Sequence, residues 1–137
     1  MTHFTQITEL LSYFASLAQW EDRYRALIQL SQSLLTIPEC QKNEILLLPG
    51  CESKLWLDIS KTSDGKIIFI ADSDSKILRG ILYIIQLYCS EYTKENIANM
   101  NFTSLFEQIG VLHKLSSNRK KGILAIEERI NKVMTDN

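Results

Sequence analysis

Leu55-Trp-Leu-Asp-Ile59 alternates apolar and polar residues, and a second β-type run, Lys66-Ile-Ile-Phe-Ile-Ala71, follows the pair Asp64-Gly65. Period two places Leu55, Leu57 and Ile59 on one face and Lys54, Trp56 and Asp58 on the other. Asp and Gly both tolerate the positive φ of a tight reversal, so the two runs are expected to form a hairpin. Asp72-Ser-Asp-Ser75 comes next, and then the spacing changes: Ile77, Leu78, Ile81, Leu82, Ile85 and Tyr88 recur at helical intervals. The four polar residues offer N-cap oxygens, and Asp72 and Asp74 complement the positive end of a helix dipole. Capping explains this acidic pair better than metal ligation does. The stretch therefore reads as a hairpin feeding a central helix. Gly80 within that helix costs about 1 kcal/mol relative to Ala, which predicts a close backbone approach by the sheet or another helix.

Upstream, Phe4, Ile7, Leu10, Leu11, Phe14 and Leu17 form one helical stripe, and Trp20, Tyr24, Leu27, Ile28, Leu34 and Leu35 form a second. The two helices are expected to meet near Ala18-Gln19. Periodicity lapses between Thr36 and Asn43 around Pro38, and Glu44-Ile-Leu-Leu-Leu48 reads as a short strand that Pro49 ends. Downstream, helices are expected over Thr93 to Met100 and Thr103 to Gln108, the second stopped by Gly110. A last helix starts near Ser116 or Ser117, with Ile123, Ile126, Ile130 and Val133 facing inward and Glu127, Glu128, Arg129 and Lys132 facing water. No repeat or linker interrupts the chain, so residues 1–137 are expected to form one domain.

The 137 residues carry 15 Lys+Arg against 16 Asp+Glu and are 45% apolar. A chain of this size hides roughly two thirds of its unfolded surface, enough for a core without staples. The near-cancelling charge leaves no polybasic footprint, so nucleic acid is not an expected partner. The most apolar stretch, Ile77 to Cys89, is shorter than the ~20 residues that span a bilayer, so no membrane partner is expected. Met1-Thr-His-Phe-Thr-Gln has no basic segment leading into an apolar one, which predicts a cytoplasmic protein. Cys40, Cys51 and Cys89, spaced by 11 and 38 residues, match no metal-knuckle pattern, and a reduced compartment fits them.

Among these thiols Cys51 is the candidate reactive one, because Pro49-Gly50 holds it in a turn just before a strand. Reactivity there requires a lowered pKa or a partner's base, and a small buried hydrophobe is the competing reading. Cys89 closes the apolar face of the central helix and reads as structural; Cys40 lies in the polar loop after Pro38. His3 and His113 stand far from each other and from the cysteines, so neither a metal cluster nor a Cys-His pair is indicated, and His113 reads as a surface or capping residue. No phosphate-binding glycine loop, nucleophile elbow or paired-carboxylate signature is present.

Pro49-Gly-Cys-Glu-Ser-Lys-Leu-Trp56, Asp72-Ser-Asp-Ser-Lys-Ile-Leu-Arg-Gly80 and Leu115-Ser-Ser-Asn-Arg-Lys-Lys-Gly-Ile123, together with Trp20-Glu-Asp-Arg-Tyr24, resemble the signatures of the SufE/CsdE sulfur-acceptor family. The blocks keep the family's order and intervals across most of the chain. Leu55 and Ile123 replace a common valine and leucine and keep the apolar character. Trp20 to Arg25 and Leu105 to Gly110 resemble CsdE, whereas Asp72-Ser-Asp74 resembles SufE, so the branch stays open. The resemblance implies an α+β fold with a small antiparallel β-sheet flanked by helices, SufE/IscU-like, with which the pattern above agrees. It implies that Cys51 accepts persulfide sulfur from a PLP-dependent cysteine desulfurase, SufS-like or CsdA-like, and stimulates it. It further implies delivery to a downstream acceptor such as an iron-sulfur scaffold complex. On this reading the chain is an accessory protein and not an enzyme, PLP belongs to the partner, and the chain itself binds no cofactor and no metal. An IscU-like metal or iron-sulfur scaffold and a non-covalent interaction module are the rival readings. Arg119, in the third block and close to a helix start that disfavours cations, is expected near the Cys51 loop, supporting its thiolate or docking the desulfurase.

Overall fold

The alternating runs form the expected hairpin: β1 (Leu55–Lys61) pairs antiparallel with β2 (Ile67–Ser73), from Lys61 opposite Ile67 to Leu55 opposite Ser73. These strands belong to a computed structural model that describes residues 4–43, 53–91 and 100–135. Gly65 takes φ +87° in the reversal and donates its N–H to the Thr62 carbonyl at 3.0 Å, while Thr62 N–H bonds the Lys66 carbonyl at 2.8 Å. Asp64 needs no positive φ; its carboxylate accepts the Thr62 hydroxyl, which holds its pKa below the ordinary carboxylate range. Leu55, Leu57, Ile67, Phe69 and Ala71 point inward and are buried.

The inner face of the hairpin packs on α3 (Lys76–Glu91), whose buried residues include Ile77, Leu78, Ile81, Leu82, Ile84 and Ile85. On its other side α3 meets α2 (Trp20–Leu30) at Gly80. A Cβ at Gly80 would lie 2.2 Å from the Leu27 carbonyl oxygen, so glycine marks a helix-on-helix contact that no larger residue could occupy. The stripe from Phe4 to Leu17 resolves into α1 (Ile7–Ala15), and Tyr83 exchanges 3.2 Å hydrogen bonds with the backbone N–H and carbonyl of Phe4.

The second stripe does not continue as α-helix to Leu35. After Leu30 the chain tightens into a 3₁₀ turn, Ser31–Ser33, and Leu34 is extended. The Gln86 side chain then supplies the partners that a helix would have given: its Oε1 accepts Leu35 N–H at 3.0 Å, and its Nε2 donates to the carbonyls of Leu35 (3.2 Å) and Phe69 (2.8 Å). Leu34 is buried, while Leu35 is 68% exposed.

In the C-terminal half, α4 (Phe102–Gln108) is capped by Asn101, whose Oδ1 accepts Ser104 N–H at 2.9 Å. Gly110, at φ +80°, ends this segment, and α5 (Ser117–Thr135) closes the chain. Two inward and outward assignments on α5 change. Met134 is buried where Val133 was expected, because the burial stripe follows the 3.6-residue turn from Ile126 and Ile130. Glu127 turns toward α4 and accepts the otherwise unsatisfied Phe102 N–H at 2.7 Å. The expected strand Glu44–Leu48 and the expected helix from Thr93 toward Met100 fall outside the described residues, apart from Met100, which is buried. The described elements share one apolar cluster on α3, an α+β arrangement.

Candidate functional site

The Asp72-Ser-Asp-Ser75 stretch joins β2 to α3, and each of its side chains has a separate task. Counting outward from the turn places Asp72 opposite Trp56 on the outer face of the hairpin. Antiparallel partners on one face bring their side chains together, here a carboxylate beside an aromatic ring. Lys42 covers both: its Nζ lies 2.8 Å from Asp72 Oδ2 and 4.6 Å from the centre of the Trp56 ring. The same ammonium reaches Glu39 at 2.7 Å. Arg79, one turn into α3, brings its Nε to 3.2 Å from the other Asp72 oxygen. The side chains of Lys42 and Asp72 are only 11% and 10% exposed. Asp72, then Glu39, holds the Lys42 pKa above its usual value through their hydrogen bonds.

Asp72 is therefore not an N-cap. Its carboxylate lies on the strand face and is committed to Lys42, to Arg79 and to the Ser73 N–H at 2.8 Å. Asp74 is not one either: its Oδ1 accepts Lys54 N–H at 3.1 Å. The cap of α3 is Ser75, whose hydroxyl accepts Leu78 N–H at 3.3 Å. Ser73 completes the seam, donating its hydroxyl to the Lys54 carbonyl at 2.6 Å and accepting Ser75 N–H at 3.2 Å.

Arg119 arrives at this junction from α5. Ser116 Oγ accepts its backbone N–H at 3.2 Å, an N-cap contact, and its Nη2 lies 3.5 Å from Ser75 Oγ. The starts of α3 and α5 thus meet with Arg119 between them, and neither helix carries an acidic residue in its first turn. The unfavourable placement of a cation at a helix start is observed, and the guanidinium is turned toward the segment that holds Lys54. Cys51 lies outside the described residues, as does His3. The described chain flanks Cys51 at Asn43 and Ser53, and Lys42 and Lys54 next to those flanks are both tied to residues 72–74.

The other thiols are placed as their sequence context suggested. Cys89 is 1% exposed, and desolvation pushes its pKa up to about 12, so it is a thiol at neutral pH. Cys40 is exposed in the 3₁₀ turn Glu39–Gln41, and His113 is exposed in another, Leu112–Lys114. Among the described residues no group of three His, Cys, Asp or Glu side chains is arranged to hold a metal ion, and no helix is long and apolar enough to cross a membrane.

Residues 8–134 match the family model described as SufE, Fe-S metabolism associated domain. The chain belongs to the SufE family. It is 34% identical over 121 residues to the sulfur acceptor protein CsdE of Escherichia coli (strain K12), covering 88% of this chain and 82% of that one. It is 32% identical over 129 residues to an uncharacterized SufE-like protein of Rhizobium meliloti (strain 1021), covering 92% of each. In three dimensions it is similar to the solution structure of a hypothetical protein from Thermus thermophilus, with a TM-score of 0.73 over 93% of this chain and 92% of that one; at 14% identity this likeness concerns the fold. Within this SufE fold Trp56 is legible from the sequence as an outer-face strand residue, whereas Lys42 and Arg79 have no part assigned from it. The register that pairs Trp56 with Asp72 can be counted from Gly65, but nothing in the spacing announces that Lys42 folds back over that pair.

Proposed function

We propose that this SufE-family protein accepts sulfur on Cys51 from a PLP-dependent cysteine desulfurase, stimulates that enzyme, and passes the sulfur on for iron-sulfur cluster assembly or a related transfer. What carries the reading is the family match over residues 8–134 together with the cysteine of Pro49-Gly-Cys-Glu-Ser53, in a chain 34% identical to a protein named as a sulfur acceptor. The Cys51 thiolate attacks the outer sulfur of a persulfide on the desulfurase. A new S–S bond forms to Cys51, the S–S bond within the donor breaks, and the donor cysteine leaves as a thiolate. The exchange is redox-neutral overall and needs no oxidant. A nucleophile on the downstream acceptor then attacks the outer sulfur now held by Cys51, and Cys51 is released as thiolate.

The two remaining cysteines do not compete on this reading. Cys89 is neutral and enclosed, and Cys40, though exposed, stands in a 3₁₀ turn outside the family's motif. Arg119 is assigned an electrostatic part: from the α3–α5 junction its charge favours a nearby thiolate or an acidic surface on the desulfurase. PLP is the partner's cofactor, and the accessory protein supplies the thiol.

Intact mass after incubation with a cysteine desulfurase and free cysteine tests the proposal. The wild type, Cys40→Ser and Cys89→Ala should each gain about 32 Da, one sulfur on a reactive thiolate, and Cys51→Ser should gain nothing. Equal gain by Cys51→Ser with intact stimulation of the desulfurase would overturn the assignment. One metal per chain retained through chelation and lost in Cys51→Ser would favour an iron-sulfur scaffold instead.

A further inference from the structure

Hydrogen bonds at the α3–α5 junction link three parts of the chain in series. The Lys54 carbonyl accepts the Ser73 hydroxyl at 2.6 Å, Ser73 Oγ accepts Ser75 N–H at 3.2 Å, and Ser75 Oγ lies 3.5 Å from Arg119 Nη2. The series gathers cations at the starts of β1, α3 and α5: Lys54 precedes β1, Lys76 follows Ser75, and Lys120 and Lys121 follow Arg119. The four lysines are exposed and Arg119 is partly so. Among the described residues none of the five is ion-paired. From Ile109 to Ile126 the chain carries four Lys and Arg residues and no Asp or Glu. The overall charge of -1 therefore conceals a local excess of positive charge.

Folding does not account for this excess. Lys76 opens α3, and Arg119 and Lys120 stand in the first turn of α5, where the helix dipole disfavours cations. Leu124 lies one turn beyond Lys120 and Lys121 on the same side of α5 and is 46% exposed. An exposed leucine bordered by cations suits a protein partner, whose surface combines apolar contact with charge. A phosphate backbone would engage the cations and leave the leucine unused. We infer that Lys54, Lys76, Arg119, Lys120, Lys121 and Leu124 form a docking surface for an acidic patch on the cysteine desulfurase. The inference rests on the reading of this chain as that enzyme's sulfur acceptor, which already turns Arg119 toward the enzyme. Lys54 stands three residues after Cys51 in the chain, so a donor seated on this surface is held beside the stretch of sequence that receives the sulfur. The lysines act chiefly on encounter, because exposed charges steer association more than they hold the finished complex.

Surface plasmon resonance with the full chain over immobilised desulfurase, without cysteine, reads docking apart from sulfur transfer. Between about 50 and about 200 mM salt the wild-type association rate should fall, as screening shortens the reach of the charges. The double variant Lys120→Glu/Lys121→Glu should associate about ten-fold more slowly at the lower salt and lose most of the salt dependence. Lys132→Glu, exposed in the last turn of the same helix, should behave as wild type. An acid in place of Lys120 suits the start of α5, so the melting temperature of the double variant should hold or rise, which separates lost docking from lost folding. Unchanged association and salt dependence in the double variant would overturn the surface, as would an equal loss in Lys132→Glu. Binding of a single-stranded RNA probe that the double variant loses, with desulfurase association unchanged, would overturn it in favour of nucleic acid. The reading of Cys51 fails separately: at saturating desulfurase with cysteine the double variant should still gain about 32 Da, and a wild type that associates yet gains no mass would overturn Cys51 while leaving the surface in place.

Discussion

Arg79 and Gly80 are adjacent on α3, yet they fasten it by opposite physics. Gly80 faces α2, where removal of every side-chain atom lets the Leu27 carbonyl come within 2.2 Å of where a Cβ would stand. That contact is dry and continuous with Leu27, Ile81, Leu82 and Ile84, all of them fully buried. Arg79 faces the hairpin and meets Asp72 at 3.2 Å across a seam that also holds Lys42, Trp56, Ser73, Ser75 and Arg119. Close packing tolerates almost no change in volume, whereas the seam is ionic, and because the Lys42 and Asp72 side chains are only 11% and 10% exposed, removing one partner leaves the other's charge nearly buried. The Gly80 side of α3 is therefore set by shape, and the Arg79 side by charge.

The largest expected effect is at the dry contact. Gly80→Ala should lower the unfolding free energy by about 3 kcal/mol, even though Ala is the better helix former by about 1 kcal/mol, because the added methyl meets backbone and not a side chain able to move. Urea denaturation measures it. A neutral or stabilising result would mean that α2 and α3 separate at little cost, and the contrast with the seam would fail.

Titration of a buried thiol further along α3 gives an intermediate effect. Cys89 is held protonated up to about pH 12 in the folded chain, against an ordinary value of 9.0 when unfolded. The folded state therefore binds more protons than the unfolded one across that interval, so the stability that Cys89 contributes is whole below about pH 9 and is lost as pH rises toward about 12. Chemical denaturation at about pH 8 to about pH 10.5, below and within that interval, should show a midpoint falling with pH, and Cys89→Ala should lessen the fall. An identical slope in the variant would place the titration elsewhere.

The smallest effect on folding is expected from Arg119→Ala. Its side chain makes a long contact to Ser75, so unfolding free energy should change by less than about 0.5 kcal/mol, while stimulation of a cysteine desulfurase should fall severalfold. A melting temperature and a stimulation both equal to wild type would remove Arg119 from the site; a large loss of stability would move it to the structural side of the comparison.

The sequence by itself determined the elements whose signals are local. Alternation over Leu55 to Ile59, the Asp64-Gly65 turn, the apolar period from Ile77 and the helix start at Ser117 depend on the chain's own pleat, turn and pitch, and each stands where the pattern puts it. Gly80 announced a close approach because a glycine inside a helix is otherwise a cost. Arg119, against its helix dipole, was visible for the same reason. Cys51 as the candidate thiol follows from its place after Pro49-Gly50 and from the family's motif. Only the tertiary structure decided that Leu34 and Leu35 leave the helix, because the partner that satisfies Leu35, Gln86, is fifty-one residues away. Only it moved Glu127 from water to the first turn of α4. Asp72, read locally, is a helix cap; in space it is the ion-pair partner of an ammonium and a guanidinium brought from thirty residues upstream and seven downstream. Local patterns record what a residue can do for its own segment. A carboxylate on the face of a two-stranded sheet must find its partners elsewhere in the chain, and no spacing along the sequence records where they fold.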